Sequence, residues 1–270
     1  MILQQLNRCA MSGILTFLLG IAVHQRALAD SLPGIDAILE QQLAMVERSL
    51  ELAPGGTRSV VYLGVAQNAQ SPAFHEDVLR VQQRLQEANP KLQSIILSND
   101  ARTTQRPFPA ATLNTLRQAL ARMADWSRKY QLMVVVLVAP NGKVAALSSK
   151  AASDFYAPLQ SRHLRVWLDA LGETPTVLML SSCRSVSFVP KLAADHRIVL
   201  AAAAADRNAS ACDEPSDNTH FIDEIFGVGF DPAKTWQQNF DRTGTGVTTN
   251  AKSSIPDTLA QRTIADFLRP

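Results

Sequence analysis

Apolar residues in this chain gather into short unbroken runs, separated by longer stretches in which they recur every three or four positions. The runs are Ser59 to Val65, Leu92 to Leu97, Leu132 to Val138, Thr176 to Leu180 and Ile198 to Ala202. Such runs read as strands buried on both faces of a sheet. Between them lie helical patterns. Ile35 to Leu52 repeats Ile35, Ile38, Leu39, Leu43, Val46 and Leu50, and Ala73 to Ala88 repeats Phe74, Val78, Val81 and Leu85. Thr112 to Trp126 and Ser161 to Leu171 behave likewise, while Pro54-Gly55-Gly56 and Asn89-Pro90 stop the first two helices. Pro140-Asn141-Gly142 signals a tight turn, with Lys143 to Leu147 as a short return strand. Beyond the last run come a polar loop (Asp206 to Asp217) and helices at Asn218 to Phe226 and Pro232 to Phe240. A turn-rich stretch from Thr243 to Pro256 and a final helix at Ala260 to Leu268 follow. Strands alternating with helices predict an α/β fold, a mostly parallel sheet with helices on both faces, and the first helix outside the main sheet.

The extreme N-terminus has a different pattern. Arg8 precedes an apolar run from Gly13 to Val23, and Ala27-Leu28-Ala29 puts small residues before Asp30. This is the three-part form of a secretory signal peptide over residues 1–29, and its run is too short for a membrane span. The expected mature protein is therefore exported, periplasmic or secreted, with no membrane span. Residues 1–29 hold Arg8 and Arg26 and no acids, so the 26 basic residues of the chain fall to 24, against 24 acidic. A balanced charge excludes nucleic acid as the expected partner. No Gly-rich phosphate loop follows any predicted strand.

Candidate chemistry centres on the end of the fourth predicted strand, where Thr176-Val177-Leu178-Met179-Leu180 gives way to Ser181-Ser182-Cys183-Arg184-Ser185. Loops past the C-terminal ends of parallel strands carry the chemistry of open α/β sheets. Cys183 is thus either a nucleophile or a small core thiol closing a strand. Cys212 is its one cysteine companion after residue 29, and in an oxidising compartment the two are either paired or free. Two thiols and scattered histidines fit no metal-ligand spacing, and no cofactor is expected.

Several segments resemble the legumain-type cysteine peptidases, which share the caspase-like fold, and in particular their bacterial exported members. Ser181-Ser182-Cys183-Arg184-Ser185-Val186-Ser187-Phe188 stands where that family has Ser-Ala-Cys-Tyr-Ser-Gly-Gly-Phe. Leu200 to Cys212 is similar to a downstream family segment ending in Cys, and Thr219-His220-Phe221 to a Thr-Tyr-Phe. Upstream, Ile95-Ile96-Leu97-Ser98-Asn99 followed by Pro109-Ala110-Ala111-Thr112 also looks like the family. The resemblance runs in order from about Val60 to Phe226. It implies a caspase/hemoglobinase-like sheet, a peptidase-like domain over residues 58–270 preceded by a helix and linker over 30–57, and Cys183 in the nucleophile position.

The same resemblance exposes a gap. Family members place a His-Gly pair at the end of the third strand, the histidine as general base and the glycine N–H in the oxyanion hole. Here Leu132–Val138 runs into Ala139-Pro140-Asn141-Gly142 with no histidine, and Val186 and Ser187 replace the glycines after the cysteine. A free thiol has a pKa of about 8.5 and depends on a nearby imidazolium or helix N-terminus to ionise at neutral pH. Losing the base costs about 10²–10⁴ in rate and losing an oxyanion donor about 10²–10³ more. His75, after the first strand, and His220, after the Cys212 loop, are the candidate substitute bases, each otherwise a structural histidine. His163 and His196 read as ordinary. Phe74-His75 offers no arginine where eukaryotic relatives recognise asparagine, so that specificity does not carry over. Arg184 is either a carboxylate or thiolate partner or a solvated loop residue, and Ser210 matches a residue near the family's specificity pocket. The expectation is a catalytically impaired homologue that binds a peptide or protein ligand. An active cysteine endopeptidase with a relocated histidine, and a redox or structural role for a Cys183–Cys212 pair, are the alternatives.

Overall fold

The computed structural model describes residues 35–67, 72–100, 108–139, 159–181, 185–202, 219–242 and 251–269. The proposed signal segment, the return strand at Lys143–Leu147 and the site positions Cys183, Arg184 and Ser210 lie outside the described residues, as does Cys212.

Among the described residues, six strands form one sheet: β1 (Ser59–Ala66), β2 (Gln93–Ser98), β3 (Leu132–Ala139), β4 (Thr176–Leu180), β5 (Arg197–Ala201) and β6 (Lys252–Ser254). Their order is β2-β1-β3-β4-β5-β6, with β1 to β5 parallel and β6 antiparallel to β5. The α/β class expected from the sequence is borne out, a mostly parallel sheet with helices on both faces. Each parallel strand is buried along nearly its whole length because both faces are covered.

Alternation along the strands sorts their side chains between two cores. Val61, Leu63 and Val65 of β1 join Val134, Val136, Leu178 and Val199 on one face. That face is closed by α1 (Ile35–Glu51), α3 (Leu113–Ser127), α4 (Ser161–Asp169) and α5 (Val189–Leu192). Val60, Tyr62, Val135, Met179 and Leu200 face the other way. They meet α2 (Ala73–Ala88), α6 (His220–Phe226), α7 (Trp236–Phe240), α8 (Asp257–Ala260) and α9 (Ile264–Leu268). Right-handed crossovers explain the split: the β1-to-β2 connection runs opposite in direction to those from β2 to β3 onward, so α2 falls on the opposite face from α3, α4 and α5. The N-terminal helix is part of the first layer, with Leu39, Leu43, Val46 and Leu50 buried in the same core as β1 and β2. Its Gln42 also accepts the N–H of Ile96 at 3.1 Å, capping part of the outer edge of β2.

Two expectations for the C-terminal region are corrected. The turn-rich stretch contains β6, a polar three-residue strand defined by its pairing of Ala201 with Lys252 and Val199 with Ser254 rather than by any apolar pattern. The single helix expected at Ala260–Leu268 is two short ones, because Thr263 turns the chain and caps α9 by accepting the Asp266 N–H at 3.0 Å. Capping also moves two helix starts: Thr219 and Thr235 sit at N-cap positions, so α6 begins at His220 and α7 at Trp236.

Candidate functional site

In this strand order the direction of connection reverses at β1, so a crevice is expected between the C-terminal ends of β1 and β3. β4 lies next to β3 in parallel register, with Val138 opposite Leu180. The residues that leave these strands, Ala139 and Ser181, therefore emerge side by side. Cys183 follows Ser181 by two positions in sequence.

Ser181 is buried at the strand exit, and its hydroxyl lies 3.0 Å from that of Thr219. Thr219 in turn is held by Asp77 on α2. Its N–H donates to Asp77 Oδ1 at 2.9 Å and its hydroxyl to Oδ2 at 2.7 Å. A threonine hydroxyl has one proton, and an ionised carboxylate only accepts. With that proton on Asp77, the link between Ser181 and Thr219 must be donated by Ser181. The network thus has a direction, Ser181 to Thr219 to Asp77. Asp77 is completely buried, and the three residues are brought together from positions 142 and 38 apart in sequence.

On the other flank of residues 182–184, the Ser185 hydroxyl accepts the Ala202 N–H at 3.1 Å, which ties the following turn to the exit of β5. Ser181 and Ser185 are both buried. At the β1–β2 end, Asn99 does comparable work. Its Nδ2 donates to Gln67 O (3.0 Å) and Ala111 O (3.2 Å), and its Oδ1 accepts the Ala111 N–H at 2.8 Å. The segments 95–99 and 109–112 are thereby stitched to each other and to the end of β1.

Of the candidate substitute bases, His75 sits in the first turn of α2, buried and edge-on to Phe108 with ring centroids 5.1 Å apart. His220 is the first residue of α6, half-buried, directly after Thr219. The Asp77–Thr219–Ser181 network therefore draws both helix starts toward the β4 exit. His163 and His196 have other partners, and neither joins this network. His163 stacks on Trp167 of α4, and His196 precedes β5 at the opposite edge of the sheet, 3.7 Å from Glu173.

Beneath the network, Tyr62 donates to the Val78 carbonyl at 2.9 Å. Burial pushes its phenol well above the usual value, and the nearby Asp77 charge adds to the shift. Sequence periodicity alone had not singled out Asp77. The available signal was its place in the helical repeat: it lies three residues after Phe74 and four before Val81, an acid on the stripe that faces the core.

No described helix is long and apolar enough to cross a membrane. No family model matches the chain, and no curated protein matches it. Among solved structures the chain is similar to a crystal structure of Chaetomium thermophilum Raptor, with 12% identity and a TM-score of 0.37. The match covers 58% of this chain and 16% of that one, a likeness too loose to inform fold or function.

Proposed function

We propose that this chain is an exported homologue of the legumain-type cysteine peptidases that has lost most of its catalytic power and acts by binding a peptide or protein ligand. The observation that carries the reading is the pairing of β3 with β4. The sequence positions where the family keeps its base and its nucleophile follow adjacent strand ends, and here one side continues as Ala139-Pro140 while the other leads to Cys183. A thiol at a strand exit without an imidazole on the neighbouring strand keeps a recognition surface but loses proton transfer. The purified chain is expected to leave a mixed peptide library uncut while retaining peptides from it on an affinity column. Efficient cleavage abolished by Cys183→Ala would refute the impaired reading.

A second reading, an active endopeptidase with a relocated base, is favoured by the convergence of the His75 and His220 helix starts on the β4 exit through Asp77 and Thr219. On that reading, His75→Ala or His220→Ala removes turnover together with Cys183→Ala. Turnover that survives both histidine substitutions sinks it.

A further inference from the structure

Burying a carboxylate is expensive, and helix α2 does not need one to adhere to α6. Phe74, Val78, Phe221, Ile222 and Ile225 already share one apolar core. Arg80 also reaches Asp223 at 2.8 Å, and Arg84 reaches the Phe226 carbonyl at 3.0 Å. A hydrophobe of similar volume at position 77 would serve packing at least as well. What a carboxylate supplies, and a hydrophobe cannot, is a fixed direction of hydrogen bonding through Thr219 to Ser181.

We infer that Asp77 is a positioning residue: through Thr219 it fixes the Ser181 hydroxyl as a donor and locks the start of α6 onto the exit of β4. The inference rests on the proposed function only in that the exit of β4 matters because Cys183 follows it in sequence. Thr219 carries the coupling because it acts in two ways at once. Its hydroxyl donates to Asp77, while the same oxygen accepts from Ser181 and, at 3.4 Å, from the Ile222 N–H that begins α6. In Asp77→Asn the shape is nearly unchanged, but an amide N–H facing Thr219 turns that hydroxyl around and leaves Ser181 without its acceptor. Thr219→Val removes the link, Thr219→Ser keeps it, and Ser181→Ala deletes only its last member.

The test uses the purified chain and reads the rate of Cys183 alkylation by iodoacetamide, with the site identified by peptide mapping, as a function of pH. Thr219→Val, Asp77→Asn and Ser181→Ala are expected to change the rate by about fivefold, roughly 1 kcal/mol at 1.4 kcal/mol per decade. Thr219→Ser is expected to keep both the rate and the shape of its pH profile. If Thr219→Ser behaves like Thr219→Val, or if folded Ser181→Ala matches the unsubstituted chain across the profile, the inference is overturned. Changes that merely track the melting temperature across the series also overturn it, because a purely structural role predicts that ordering. Should Asp77→Asn or Thr219→Val fail to fold, the comparison of Ser181→Ala with Thr219→Ser still decides. The alkylation rate requires no peptide ligand. Failure of the proposed function, seen as efficient peptide cleavage abolished by Cys183→Ala, is therefore distinguishable from failure of this inference.

Discussion

Gly64→Ala is the most direct test of how the fold holds the candidate site. Gly64 lies in the middle of β1, on the face covered by α2. A Cβ added there would stand 2.3 Å from Val78 Cγ1, 2.8 Å from the Tyr62 hydroxyl and 3.1 Å from Ile96 Cδ1. Val78 cannot step aside cheaply, because a β-branched residue in a helix has essentially one χ1 rotamer. Nor can the Tyr62 hydroxyl move freely, since it is bonded to the Val78 carbonyl. Relief therefore requires α2 to lift by roughly 1.2–1.7 Å to reach ordinary carbon–carbon separation of about 3.5–4.0 Å. Overpacking of this kind costs about 1–3 kcal/mol, and with two stiff neighbours the upper end is expected. At about 2–4 °C per kcal/mol for a protein of this size, the melting temperature should fall by roughly 6–12 °C. Lifting α2 also draws Asp77 away from Thr219, so the damage reaches the β4 exit. Val78→Ala opens the space that the new methyl needs. The double substitution should then be more stable than the sum of the singles predicts, with a favourable coupling of about 1–2 kcal/mol in a cycle measured by calorimetry and urea midpoints. A loss below about 0.5 kcal/mol for Gly64→Ala, or strict additivity in the cycle, would refute the close approach of α2 to β1.

Asp77→Ala strips two bonds to a charged acceptor from Thr219 and should cost about 3 kcal/mol, seen as a lower urea midpoint; a loss under about 1 kcal/mol would show that the carboxylate is dispensable. The raised Tyr62 phenol implies alkaline sensitivity. Above about pH 10 the unfolded chain loses the tyrosine proton that the folded chain keeps, so stability falls with rising pH by up to about 1.4 kcal/mol per unit. Tyr62→Phe should abolish that part of the slope between about pH 9 and 11, and an unchanged slope would count against the assignment. Arg197 is buried, bonded to Leu192 O and Asp169, with its pKa lowered by burial and partly restored by Asp169. Because Asp169 is half exposed and the buried guanidinium is costly, Arg197→Met should stay within about 1 kcal/mol of the unsubstituted chain in the same urea assay; a larger loss would mean that the pair is strongly stabilising.

Five parallel strands were legible in the sequence because burial on both faces leaves no polar alternation to confuse the pattern. Helix α2 matched its expected bounds because Pro72 and Asn89-Pro90 punctuate it at both ends. What escaped was set by contacts rather than by composition. Lys252–Ser254 has nothing strand-like about it until β5 supplies a ladder. The late starts of α6 and α7 did carry a local signal, a threonine three residues before the first N–H it caps, and apolar periodicity overran it. The site divides in the same way. His75 and His220 could be named from the chain, but their relation to each other could not. It depends on Asp77 meeting Thr219, a pairing that leaves no trace in local periodicity.

The polarity of the sheet bears on why a site of the proposed kind would retain binding after losing turnover. Helices that cross between parallel strands point their N-termini toward the strands' C-terminal edge, so α2 brings the positive end of its dipole there together with His75 and Asp77. At the opposite edge, Arg48 lies in the last turn of α1, Lys91 just past α2 and Arg128 at the end of α3, where cations complement helix C-termini. The edge that Cys183 follows in sequence thus keeps its field, its buried hydroxyls and its anchored strand exits, all supplied by the scaffold. A general base is different in kind, because it must be one side chain at one place. On the proposed reading, the absence of the expected histidine at the end of β3 removes proton transfer and leaves the rest intact. On the proposed reading, loss of catalysis with retention of ligand is therefore the change this architecture accommodates at least cost to its fold.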